Sequence, residues 1–255
     1  MRRPEFKEKW ISRQVIEQFN IPLKKKGRDQ LLVQTPKSSA KVGVIMPQPQ
    51  CQMWCEFCVT DDHLQRMTES QAQKLIHKMA EQGFTSLIIG GGEPLLWPHD
   101  VLKLADYAKK FEFFVQIGTN GIRLPNGFET LPQVDRWVLP FESDKADVHN
   151  RLRQYEGGHH EIILERLSAL ARVKKSVTLS TVVTNWNLST LISTGEFLRQ
   201  YSNKNPNLHA WHIYQFLPIG RGGGRRELES TLSLSRKGYE EAVESVKNMK
   251  LPFKV

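Results

Sequence analysis

At 255 residues, with 39% hydrophobic and 25% charged side chains, the chain has the composition of a globular protein large enough for a single α/β barrel. No apolar run reaches the roughly 18–20 residues of a membrane span, and the basic N-terminus leads into no apolar signal core, so the expectation is a cytoplasmic protein without a membrane association. The net charge of +9 is uneven: residues 1–40 hold ten Lys or Arg against four Asp or Glu, so the rest of the chain is near balance and no specific nucleic-acid binding is indicated.

Residues 1–40 read as a basic N-terminal extension that includes Lys24, Lys25, Lys26 and Arg28. A short helix is expected near Glu8–Phe19 and a strand near Leu31–Thr35, covering a sheet edge. Lys41–Met46 (KVGVIM) is a buried strand that runs into a cysteine-bearing loop. The helix that follows opens on a capping-box pair, Thr68 and Gln71. It carries Ala72, Leu75, Ile76, Met79 and Ala80 on one face and stops at Gly83. Ser86–Ile89 is a second strand, followed by Gly90-Gly91-Gly92-Glu93-Pro94 and a helical stretch over Pro98–Lys110. Phe113–Ile117 is a third, closed by Gly118-Thr119-Asn120-Gly121.

The alternation continues with a strand over Arg136–Phe141 and a helix over His160–Val173, whose apolar side holds Ile163, Leu167 and Leu170. His159-His160 reads as the start of that helix rather than a metal pair. Val177–Val183 is a fifth strand, Ser189–Tyr201 a helix and Ala210–Leu217 a sixth strand. Arg221–Arg226 (RGGGRR) lacks the lysine and Ser/Thr of a phosphate loop and reads as a mobile loop. A last helix covers Ser235–Met249, and Leu251–Val255 reads as the beginning of a further strand that leaves barrel closure incomplete and one side open. Strands alternating with helices predict a parallel sheet with right-handed crossovers, hence an open partial barrel or a doubly wound sheet. In either, the loops at the carboxyl ends of the strands meet on one face, where α/β active sites form.

The three cysteines of the chain, Cys51, Cys55 and Cys58, stand within eight residues. An odd, clustered set argues against disulfides and for a soft metal site. Three thiolates on one loop match three corners of an iron–sulfur cube and leave one iron without a protein ligand. Two other readings stand beside it: a Cys3His zinc site completed by His63, and a passive iron–sulfur electron carrier, although carriers normally satisfy all four irons.

The run Cys-x-x-x-Cys-x-x-Cys, with Phe57 before the last cysteine, resembles the signature of the radical S-adenosylmethionine (SAM) superfamily. The resemblance implies a partial (β/α)6 TIM-like barrel of parallel strands, with residues 41–220 as the core and 221–255 completing the barrel edge. It implies a [4Fe–4S] cluster on Cys51, Cys55 and Cys58 whose fourth iron binds SAM. Phe57 would sit over the adenine. Gly91, Gly92 and Glu93 resemble the glycine–glutamate element that receives the methionine ammonium, and Thr119-Asn120-Gly121 resembles the family's Thr-Asn-Gly turn. Aligned through His149, Glu142 falls at a ribose-contacting carboxylate, with Pro140 where the family has serine, and Arg153 is a partner for the SAM carboxylate. Gln215-Phe216-Leu217-Pro218, followed by Gly220-Arg221-Gly222, recurs in some branches near adenine and substrate. The implied activity is reductive cleavage of SAM to methionine and a 5′-deoxyadenosyl radical that abstracts hydrogen, with a flavodoxin- or ferredoxin-type protein as reductant. The basic arm with Arg221, Arg225 and Arg226 favours an anionic substrate, a nucleotide or phosphorylated metabolite, over a peptide; the open barrel side would suit the peptide.

Overall fold

The chain divides into two compact units, Met1–Ser39 and Ala40–Val255. The computed structural model describes residues 23–26, 30–33, 41–61 and 63–255. In the first unit β1 (Leu23–Lys26) pairs antiparallel with β2 (Gln30–Val33), Lys24 opposite Leu32 and Lys26 opposite Gln30. The strand expected near residues 31–35 thus lies in a two-stranded sheet of its own. The helix expected near residues 8–19 lies outside the described residues.

The second unit holds six strands: β3 (Val42–Ile45), β4 (Ser86–Ile89), β5 (Phe114–Gly118), β6 (Arg136–Pro140), β7 (Ser176–Val183) and β8 (Leu208–Gln215). All pairings are parallel and the spatial order is the chain order, β3 to β8 without reversal. A doubly wound sheet would reverse at a switch point. This sheet has none, so the arrangement is that of a partial (β/α)6 barrel.

Five helices fill the crossovers: α1 (Glu69–Glu81), α2 (Val101–Lys109), α3 (Ala146–Leu152), α4 (His160–Arg172) and α5 (Leu191–Lys204). Their ends follow the sequence punctuation. Thr68 and Gln71 form both bonds of a capping box, and Asp100 accepts from the Leu102 and Lys103 amides. Strand alternation sends Leu87, Ile89, Val115, Ile117, Trp137, Leu139, Leu179 and Trp211 to the helix side, where they pack with Ile76, Leu104, Leu167 and Leu198 in one core. The opposite, concave face is left to Val42, Val44, Phe114 and Tyr214, all exposed.

After β8 the chain departs from the expected mobile loop. Residues 220–232 form α6 (Gly220–Gly223) and α7 (Arg226–Leu232), followed by α8 (Arg236–Asn248), which Ser235 caps at Gly238. The glycine-rich turn is ordered by bonds to the cysteine loop, a long-range cause that local composition does not carry. At residues 251–255 one bridge, Ala210 with Lys254, continues the sheet beside β8, and the Trp211 amide donates to the Lys254 carbonyl at 2.8 Å. Among the described residues no helix is long and apolar enough to cross a membrane.

Candidate active site

At the carboxyl ends of the strands Cys51, Cys55, Cys58 and Phe57 line a cavity of about 360 Å³, together with Gly90, Gly91, Gly92, Asn120, Arg153 and Arg221. All three thiols are free, and Cys55 is the most buried. Burial pushes the Cys55 thiol up to about 11, against the positive charge of Arg153. Burial also raises Cys51, opposed by the Met53 amide and the Asn120 side chain. Thiols held neutral by desolvation are the groups that a bound cation converts to thiolates. No three His, Cys, Asp or Glu side chains among the described residues converge as a single ion requires, and His63 is exposed on a turn. Three free thiols on one loop are soft donors of the kind an iron–sulfur cluster takes, and His63 is not among the residues that line their cavity.

The cysteine loop is gripped at both ends by glycines. Upstream, the Gly92 amide donates to the Gln48 carbonyl (2.9 Å) and the Glu93 amide to that of Gln50 (2.7 Å). A Cβ on Gly92 would lie 2.1 Å from the Pro49 carbonyl oxygen, so only glycine admits this approach. Downstream, the Arg221 amide donates to the Thr60 carbonyl (3.0 Å) and the Gly222 amide to that of Cys58 (3.1 Å). A Cβ on Gly222 would meet the Cys55 carbonyl oxygen at 2.4 Å. Arg221 itself donates to the Pro49 carbonyl at 3.0 Å and lines the cavity.

Glu93 is fully buried and turned away from the cavity. Its carboxylate accepts from the Asn120 amide (2.8 Å), the Thr119 hydroxyl (2.7 Å) and the Leu95 amide (3.1 Å). It thereby ties the loop after β4 to the Thr-Asn-Gly turn after β5, while burial pushes its pKa up. Asn120 reaches the cysteine loop: its Nδ2 donates to the Cys51 sulfur at 3.5 Å, and its Oδ1 accepts from the Ile122 amide at 3.0 Å.

Glu142 is likewise inside rather than on the cavity wall. One oxygen pairs with Arg153 Nη2 at 2.8 Å and Nε at 2.9 Å; the other accepts from the Val182 amide at 2.8 Å. Arg153 does line the cavity, with Nη1 3.6 Å from the Cys55 sulfur and its guanidinium 4.8 Å from the Phe57 ring centre. Burial acts to lower the Arg153 pKa, but the charges of Cys55 and Glu142 outweigh it and raise it. Pro140 lines the cavity at the position where the family places serine.

Two imidazoles connect the β5 and β6 loops. The Glu142 amide donates to His149 Nδ1 (3.1 Å), which places the His149 proton on Nε2, facing His159 Nδ1 at 2.8 Å. His159 Nε2 then donates to the Asn120 carbonyl at 2.7 Å. Burial lowers His149 well below the usual histidine value and His159 to about 4, so the relay consists of neutral rings with fixed tautomers. His160 opens α4 as expected, but His159 is a structural link and not merely a helix start.

The structure thus brings Cys51, Cys55, Cys58, Phe57, Gly91, Gly92, Asn120 and Arg153 to one cavity and sets Glu93 and Glu142 behind its wall. Sequence reasoning missed Met53, Ser180, Val182 and the strapping role of Arg221 and Gly222. Strand alternation was a usable signal for Tyr214, which faces the cavity while Trp211 enters the core and Phe216 packs by Met53, Cys55 and Phe57.

The family model described as the radical SAM superfamily matches residues 45–198. An AdoMet-dependent heme synthase of Methanosarcina barkeri is 29% identical over 159 residues, which are 61% of this chain and 44% of that protein. An S-adenosylmethionine-dependent nucleotide dehydratase of Flammeovirga pacifica is 25% identical over 209 residues, 76% of this chain and 68% of the relative. Among solved structures, Streptococcus suis SuiB bound to S-adenosylmethionine superposes with a TM-score of 0.66 at 14% identity, over 94% of this chain and 52% of the other. Native anSMEcpe with bound AdoMet gives 0.62 at 13% identity, over 82% and 60%. The chain spans about half the length of several of the proteins that it matches, and at such identities the structures speak to the fold alone.

Proposed function

The chain belongs to the radical SAM superfamily, and from that premise we propose that Cys51, Cys55 and Cys58 hold a [4Fe–4S] cluster beside a SAM site in the strand-end cavity. When bound, the cofactors supply one-electron cleavage of the SAM C5′–S bond to methionine and a 5′-deoxyadenosyl radical that takes hydrogen from the substrate. The observation that carries this reading is the meeting of three thiols in one cavity when the chain has no fourth cysteine.

The residues of the chain supply position and charge. The Gly90, Gly91 and Gly92 backbone lines the cavity and would offer carbonyls to a ligand ammonium, with Glu93 acting from behind through the Asn120 turn. Arg153 offers a ligand carboxylate a cation already held in place by Glu142, and Phe57 provides an apolar wall for a base. Residues 41–220 are assigned as the catalytic core, 221–255 as the segment that completes its edge and 1–40 as an extension. A flavodoxin- or ferredoxin-type reductant and a reducing, cytoplasmic setting suit this chemistry.

For the substrate, a nucleotide or other phosphorylated metabolite is the favoured class, supported by the two nucleotide dehydratases among the similar proteins. Arg221 no longer supports it, because its guanidinium serves the cysteine loop. Anaerobic reconstitution followed by reduction and assay for 5′-deoxyadenosine tests the proposal. The expected result is about four irons per chain, a paramagnetic spectrum altered by SAM, and cleavage abolished in Cys55→Ala. Stoichiometric zinc without cleavage would overturn it, and so would a cluster whose spectrum ignores SAM.

A further inference from the structure

The concave face of the sheet carries a cation that the strand-end site does not use. Arg136 opens β6 and is flanked in register by Gln116 of β5 and Ser176 of β7. Its Nε donates to Ser176 Oγ at 2.9 Å and its Nη1 to Gln116 Oε1 at 3.3 Å, with the guanidinium 4.8 Å from the Phe114 ring centre. Gln116 is steadied in turn by Ser86 Oγ at 3.2 Å. Each of these partners is neutral. The adjacent carboxylate, Asp135, is committed to Lys109 at 2.8 Å and to the Val115 amide. Among the described residues no carboxylate forms an ion pair with Arg136, and its Nη2 makes no hydrogen bond.

Burial lowers the Arg136 pKa, and the charge of Asp135, shared with Lys109, offsets only part of that cost without forming an ion pair with Arg136. Arg136 is half buried, and burial, followed by the Arg136 charge, holds the imidazoles of His209 and His212 below their ordinary value. Thr178, two residues beyond Ser176 on the same face of β7, is 1% exposed and its hydroxyl has no partner. A desolvated guanidinium fixed by neutral groups with donors to spare matches a carboxylate or phosphate better than any uncharged ligand.

We infer that Arg136 anchors an anionic group at one end of the substrate, on the floor of the concave face, while the carbon that loses hydrogen lies at the strand ends. This inference rests on the radical SAM reading above. Val138 and Pro140, the next residues of β6 on that face, line the cysteine cavity. At about 3.3 Å per residue, Arg136 lies roughly 7 Å below Val138 and roughly 13 Å below Pro140. The substrate class is therefore an elongated metabolite with a terminal phosphate or carboxylate some 7–13 Å from its reacting carbon.

Calorimetry on the reconstituted protein, with inorganic phosphate and with propionate as probes, tests the anchor. The expected result is saturable binding of one probe, weakened roughly ten-fold or more in Arg136→Gln and less in Arg136→Lys. The tighter probe identifies the anion. Ser176→Ala gives a second, milder reading of the same site should Arg136→Gln fold poorly. Binding that is equal in wild type and both variants, or no saturable binding of either probe, overturns the anchor. 5′-Deoxyadenosine formation by the wild-type protein is measured alongside. Cleavage with anion binding indifferent to Arg136 removes the anchor alone, whereas Arg136-dependent binding without any cleavage removes the radical reading and leaves an anion site.

Discussion

Arg153 joins Cys55 to the loop after β6: one guanidinium nitrogen lies 3.6 Å from the Cys55 sulfur while two others hold a single oxygen of Glu142. The Glu142 side chain has no solvent exposure and that of Arg153 has 16%, so the pair is an internal one. Removing one partner strands the other charge in a dry environment. Arg153→Met is expected to cost about 3–5 kcal/mol in urea unfolding. Adding Glu142→Gln to it should recover part of that loss, because the stranded carboxylate is then gone. Equal stabilities of the single and double variants would contradict the pairing.

Gly222→Ala drives a methyl group into the Cys55 carbonyl and the Cys58 amide, at 2.4 and 2.7 Å. Both are backbone atoms, which cannot swing aside. A loss of about 1–3 kcal/mol is expected, with iron and sulfide per chain well below wild type after the same reconstitution. Wild-type iron content in this variant would mean that the strap does not shape the cluster loop.

Gly90→Val separates ligand binding from loop integrity. A Cβ here meets no atom within 4 Å, although Gly90 lines the cavity. The side chain therefore projects into space that a ligand would fill. Iron content and stability should stay near wild type, within about 0.5 kcal/mol. SAM affinity by equilibrium dialysis should fall by about ten-fold or more. Undiminished SAM binding would place the ligand elsewhere.

Acid should weaken the fold through His149 and His159. Both imidazoles resist protonation in the native state, while the unfolded chain takes up protons near pH 6.5; for His159 the folded value is about 4. Stability present above pH 6.5 is therefore lost as pH falls toward 4, at about 1.4 kcal/mol per pH unit for each ring. The charge of Arg153 and the neighbouring His160 add to the depression of both. Urea unfolding at pH 7 and pH 5.5 measures the slope. His159→Gln should flatten it by about one proton, and an unchanged slope would exclude the relay as its source.

The cysteine loop, the six strands and five of the eight described α-helices were legible because each rests on a local signal: strand runs, a capping box, Gly83, the spacing of Cys51, Cys55 and Cys58. What local signals do not encode is side-chain direction at the strand ends. Glu93 and Glu142 fall at the expected strand ends, but each carboxylate turns to partners 26 to 40 residues away in sequence, Thr119, Asn120 and Val182. The turn at 220–223 failed for a similar reason. Four residues that include three glycines are poor helix formers in isolation, and they are held by Cys58 and Thr60, far upstream. His149 gave its position to the alignment without disclosing its partner, since the ring meets His159 only once α3 and α4 are packed.

The grip on the cysteine loop carries a schedule for assembly. Arg221 reaches back across 172 residues to Pro49, and Gly222 closes on Cys58 after every strand of the sheet has been made. A ribosome releases the cysteines early, when the β8 turn that shapes their loop does not yet exist. Contacts this distant form late in folding, because the loop-closure entropy precedes their reward. Iron delivered to the nascent chain would meet three thiols in an unformed loop, whereas iron delivered after β8 has docked meets a shaped one. Loading of the proposed cluster would thus be a finishing step, gated by the turn that follows the last strand.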